Sequence, residues 1–191
     1  MKNFTKIITA TAIILSLSSC AMLQDLFKPK KVVELDYLDG ANKMDMKKFF
    51  DGNIDAFAIK QDANGKIIAT FTAKINGKWE DNKGVIQQNF LYSDGTKDSR
   101  TWLFTVDTDG TFDAVGHNVS VPAKGKQIGN AAQSNYSLNL TTKAGKEEVN
   151  FEDKMYLVDE NSMIMISDFG NKKSEKVASG KIIYSLKKAA K

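Results

Sequence analysis

The chain is 191 residues long, 42% hydrophobic, 26% charged and 9% aromatic, a globular balance that excludes collagen, coiled coil and wholesale disorder. Lys plus Arg number 27 against 23 for Asp plus Glu, giving a formal charge of +4. A single Cys excludes an internal disulfide framework or multi-cysteine zinc site, and a single His argues against a His-rich metal centre or His-based catalysis.

The N-terminus reads as an address. Lys2 and Lys6 precede an uncharged run from Ile7 to Leu17, eleven residues long. A membrane-spanning helix needs about 20 apolar residues, so this run fits the apolar region of a signal peptide instead. It ends in Leu17-Ser18-Ser19-Cys20. A branched apolar residue, two small residues and a Cys make a bacterial lipobox. The expected chemistry is thioether attachment of a diacylglyceryl group to Cys20, then cleavage before Cys20 and acylation of the new amine. Two or three long chains amount to a permanent anchor, since each buried methylene contributes about 0.8 kcal/mol. Ala21, in place of Asp, favours export to the outer membrane with the domain facing the periplasm. Cleavage removes Lys2 and Lys6 but no acid, so the +4 falls to +2. With no clustered basic face for phosphates, nucleic acid is not an expected partner.

Residues 20–44 read as the lipidated Cys and a tether, with Pro29 among Lys28, Lys30 and Lys31. Val32–Leu38 is either a first strand or a segment lying against the domain. Apolar residues at 46, 49 and 50 predict a short helix over Met44–Phe50, stopped at Asp51-Gly52. From residue 53 onward the period becomes 2, the mark of half-buried strands. Ile67, Ala69, Phe71, Ala73 and Ile75 share one face. So do Trp102, Phe104 and Val106, then Tyr136, Leu138 and Leu140, then Val149, Phe151, Met155 and Leu157. Met163, Met165 and Phe169 follow, and a last strand runs over roughly 176–186. Asp62-Ala63-Asn64-Gly65, Asn76-Gly77, Asp94-Gly95, Asp109-Gly110, Ala144-Gly145 and Asp159-Glu160-Asn161 supply the turns. The fold class is therefore all-β. We expect an antiparallel up-and-down meander of eight or nine strands over residues 45–191, closing into a lipocalin-like barrel or splitting into a sandwich. The stretch from Asn118 to Gln133 lacks alternation and reads as an Ω-like loop or the barrel mouth. A Lys- and Thr-rich outer face marks a soluble barrel on a tether.

Few residues invite chemistry. Asp107, Asp109, Thr111 and Asp113 around Gly110 look like the start of a calcium loop, but the bidentate Glu and flanking helices are missing. A hairpin turn is expected, with no metal and no cofactor. Asp168-Phe169-Gly170 lacks every other kinase element. His117 has no nucleophile to serve, so no catalytic residue is expected. Polar residues on inward faces are more informative. Arg100 shares parity with Trp102, Asp153 with Phe151 and Met155, and Gln88 with Ile86 and Phe90. Buried charge is costly unless paired. The alternatives are an internal Arg100–Asp153 pair, exposure at a strand end, or a ligand site formed by Gln88, Arg100, Trp102 and Asp153 in an apolar cavity.

The chain also resembles the Gram-negative lipoprotein family known as domain of unknown function 3833. The resemblance rests on Phe49-Phe50-Asp51-Gly52, Gln61-Asp62, Gly77 and Trp79, Asp94-Gly95, Arg100 and Trp102, Gly129-Asn130-Ala131, Phe151, Asp153, Met155-Tyr156-Leu157 and Phe169-Gly170. It covers about Leu35 to Leu186. The sequence departs from the family pattern at Asn118, Val121 and Ser162-Met163. The resemblance implies an envelope lipoprotein and supplies no catalytic residues. Two functions follow as expectations. One is a barrel binding a lipid or other apolar small molecule; the other is an assembly lipoprotein contacting another envelope protein without a ligand.

Overall fold

Ten strands and one short helix make up the computed structural model, which describes residues 35–39, 42–142, 145–171 and 179–189. The expected signal peptide, Cys20 and the tether as far as residue 34 lie outside the described residues.

Helix α1, Met46–Phe50, starts where the sequence supplies a cap: the Asp45 carboxylate accepts from the Lys48 backbone N–H at 3.0 Å. It buries Met46, Phe49 and Phe50 and gives way to extended backbone at Asp51. The strands follow as β1 (Gly52–Asp62), β2 (Ile67–Glu80), β3 (Lys83–Tyr92), β4 (Lys97–Val106) and β5 (Thr111–Gly116). Then come β6 (Val119–Ile128), β7 (Ala131–Thr142), β8 (Gly145–Asp159), β9 (Ser162–Gly170) and β10 (Gly180–Lys188). Each strand pairs antiparallel with its sequence neighbours, and β1 pairs with β10, so the sheet closes into a barrel. The barrel, not the sandwich, is the outcome.

Inward residues alternate as period 2 requires. Ile54, Ile86, Leu138, Met163 and Leu186 are fully buried, each from a different strand. Turns repeat one device. Asp62, Asp94, Asp109 and Asp159 each accept, through Oδ1, the N–H two residues on. Asp109 also accepts from the Thr111 hydroxyl, so this segment is a hairpin turn, as expected.

The strand count exceeds the eight or nine expected, and the reason lies in Asn118–Gln133. This stretch is not an Ω-like loop: Val119–Ile128 forms β6, paired with β5 and β7. Alternation is invisible there because its inward positions are small. A Cβ at Gly125 would overlap the Phe112 ring, so only Gly fits beneath that side chain. Pro122, which has no N–H to give, sits where the register slips between Val121 and Lys124. The last strand starts later than expected, at Gly180, and residues 172–178 lie outside the described residues. Leu35–Leu38 is not a strand: it lies against the barrel, with the Leu38 N–H donating to Asn130 Oδ1 at 2.8 Å.

Helix α1 fills one end of the barrel. The Met44 N–H donates to the Gly129 carbonyl at 2.8 Å, and the Met46 N–H to Gln127 Oε1 at 2.9 Å. Gly77 gives the helix room, since a Cβ there would overlap the Phe50 carbonyl. Removing an aromatic ring from such a plug loses its burial and leaves a void. Phe49→Ala is expected to destabilise the domain by about 3–5 kcal/mol in urea unfolding. A loss under about 1 kcal/mol would show that the helix unfolds apart from the barrel.

Candidate functional site

The barrel interior is layered. Next to α1 lies a cavity of about 60 Å³, walled by Met46, Phe50, Ile86, Trp102, Met155 and Met165 among others. Gln88, Ser134 and Tyr136 bring polar atoms to the same wall. The Trp102 indole N–H donates to Gln88 Oε1 at 3.3 Å, so these two expected site residues satisfy each other. Tyr136 is held by two rings. It stacks on Phe151 at 5.1 Å and meets Trp102 edge-on at 5.1 Å. Both arrangements are favoured pairings of aromatic quadrupoles.

Asp153 sits on β8 between two serines, opposite Ser134 on β7 and Ser167 on β9. It is buried, and the Ser167 hydroxyl donates to it at 2.5 Å. Burial pushes its carboxyl up to about 6, although Ser167, Tyr136 and Arg100 all favour the charged form. Enclosure raises the Tyr136 and Tyr184 hydroxyls too, and the charge of Asp153 adds to both shifts.

The expected Arg100–Asp153 pair does not form. Arg100 faces inward from β4 opposite Gln88, half-buried, with its guanidinium 5.8 Å from the centre of the Phe90 ring. The ion pairs of the described residues instead sit outside the lumen, such as Lys74–Asp55 at 2.7 Å and Lys181–Asp168 at 3.5 Å. Gln88, Trp102 and Arg100 therefore form one inward group, and Asp153 belongs to a separate serine-bound one.

Sequence reasoning missed Lys60. It follows Ile54, Ala56 and Ala58 on the inward face of β1, and its ammonium lies 4.6 Å from the centre of the Phe169 ring. Burial lowers its pKa. The signal was available, because parity alone puts it inside. Ser167 and Tyr184 were missed likewise. Ser167 shares the parity of Met163, Met165 and Phe169, and Tyr184 that of the buried Ile182 and Leu186.

His117 is exposed at the β5–β6 turn. Among the described residues, no cluster of three or more His, Cys, Asp or Glu side chains is placed to hold a metal ion. No helix among them is long and apolar enough to cross a membrane.

In sequence, residues 26–178 match one known family. This chain belongs to the DUF3833 family. The family is described as proteins of unknown function. No curated protein matches the chain in sequence. In structure, this DUF3833 protein is similar to a protein of unknown function from the DUF3598 family of Nostoc punctiforme, with a TM-score of 0.52 at 9% identity. The match covers 77% of this chain and 50% of the other, so the DUF3833 chain spans half the length of that neighbour. At that identity the likeness concerns the fold alone.

Asp153 makes a pH prediction. Its carboxyl holds a proton more tightly folded than unfolded, so its contribution to stability is fully present below about 3.8 and is lost as pH rises through about 6. That difference corresponds to roughly 3 kcal/mol. Asp153→Asn is expected to lack that loss and to melt above the wild type at pH 7.5, with the gap closing by pH 4. Parallel melting curves across that range would contradict the assignment.

Proposed function

We propose that this protein is a lipoprotein, anchored in the outer membrane through Cys20 and facing the periplasm, whose barrel holds a small, mainly apolar molecule. The anchor is supported by the charged start, the short apolar run and the Leu17-Ser18-Ser19-Cys20 box. The ligand is supported by one observation: a cavity of about 60 Å³ inside a barrel stopped at one end by α1. Its wall is largely apolar with a few convergent polar groups, the usual make-up of a small-molecule site. At about 30 Å³ per water, its space is that of roughly two waters. This favours a small ligand, or the end of one chain, over a whole multi-chain lipid. Met46, Met155 and Met165 in the wall are flexible and polarisable, and let the cavity adapt to a guest. No catalytic residue is part of the proposal.

A second reading, the assembly lipoprotein without a ligand, draws on the outer wall. Val85, Leu103 and Val115 lie side by side across β3, β4 and β5, exposed by 41%, 51% and 44%. Crosslinking in cells to one dominant envelope protein would favour it.

The lead reading is checked by native mass spectrometry of the protein extracted in mild detergent. A reproducible mass increment that disappears on denaturation is expected. Ser134→Leu, which fills the cavity, is expected to abolish the increment while leaving a cooperative melt. An empty wild-type barrel would overturn the ligand reading. The anchor is checked separately: Cys20→Ser is expected to move the protein from the membrane to the soluble fraction, and an unmodified Cys20 would refute it.

A further inference from the structure

The lumen holds two cations, Lys60 and Arg100, that form no ion pair among the described residues. Lys60 lies two residues before the end of β1, and Arg100 three residues after the start of β4. Both positions belong to the end of the barrel opposite α1. Among the described residues neither side chain makes an ion pair or a hydrogen bond. Each rests on an aromatic face, Phe169 for Lys60 and Phe90 for Arg100. The acids near that end are engaged elsewhere. Asp62 accepts from the backbone of Asn64 and Lys66, Asp94 from Thr96, and Asp98 from Ser99. Asp153 is bound to Ser167.

Half-buried cations without partners are unfavourable, and an aromatic face compensates only in part. Both cations lack acceptors, which an anionic oxygen group would supply. Besides the buried Asp153 and Ser167, the lumen there holds a cluster of aromatic rings. Phe71 contacts Phe90 at 5.8 Å, Tyr92 at 5.0 Å and Tyr184 at 5.6 Å, making an aromatic collar. Gln88, paired in register with Arg100, already lines the cavity below. Cationic end, collar and apolar cavity thus follow one another along the barrel.

We propose that Arg100 and Lys60 bind the carboxylate or phosphate headgroup of a single-chain amphiphile, whose tail passes the Phe71–Phe90–Tyr184 collar into the cavity beside Trp102. This rests on the reading of the barrel as a small-molecule site and adds the chemical class of the ligand.

The test titrates the full-length protein, delipidated of adventitious guests, with octanoate, octyl phosphate, octanol and inorganic phosphate. Trp102 fluorescence and calorimetry serve as readouts. Octanoate or octyl phosphate is expected to bind at least tenfold more tightly than octanol. Arg100→Gln and Lys60→Gln are each expected to weaken the anionic probe about tenfold and leave octanol unchanged. Both variants shed an unpaired charge, so their melting temperatures are expected to match or exceed the wild type, which separates lost binding from lost fold. Equal affinity for octanoate and octanol, unaltered in the variants, would overturn the headgroup assignment while leaving the cavity reading intact. Inorganic phosphate binding as tightly as octyl phosphate would show a free-anion site and overturn the amphiphile. Failure of octanol and the anionic probes alike would overturn the cavity reading and this inference together.

Discussion

Nine residues of β1, Ile54 to Asp62, pair with nine of β10, and this seam converts a ten-strand ribbon into a closed wall. Without it the meander has two open edges and no inside. With it, every inward side chain faces others across a lumen, and the sign and size of those side chains decide what the lumen does. The hydrophobic rows of ten short strands acquire a common core only through that closure. Asp153 is desolvated and Arg100 faces Phe90 for the same reason: a closed wall has trapped them.

The helix then makes the two ends unlike. One end is stopped by Met46, Phe49 and Phe50, whose placement relies on Gly77 having no side chain and on the Gln127 and Gly129 carbonyl oxygens receiving helix-proximal N–H groups. The other end carries tyrosines, phenylalanines and two cations. Polarity therefore differs along the barrel axis as well as across the wall. The outer ion pairs, such as Lys74–Asp55, are exposed and add little to stability. The inner charges cannot be screened in that way.

Much of this was legible in the residues. Period 2 places Phe71, Ala73 and Ile75 inside, and also Arg100, Gln88 and Asp153, as the structure bears out. What parity cannot give is height along the axis. In a barrel whose strands tilt, two inward residues share a level only if strand number and shear bring them there. Arg100 and Asp153 share a lumen but do not pair. Asp153 meets Ser167 instead, a partner visible only once β8 and β9 are in register. Strand β6 was hidden for the opposite reason. Its inward places are Ala123 and Gly125, chosen to admit Phe112, so no hydrophobic rhythm remains to be read.

The short hairpins linking neighbouring strands have a kinetic consequence. All pairings but one join segments adjacent in the chain, and such hairpins form in microseconds. The exception, β1 with β10, joins segments separated by more than a hundred residues, as Asp62 and Gly180 illustrate. Loop entropy opposes that step, so the ribbon is assembled before its ends meet. Until then both ribbon edges present unpaired backbone, on which a strand of a second chain can pair. The speed of closure is then what competes with strand exchange between chains.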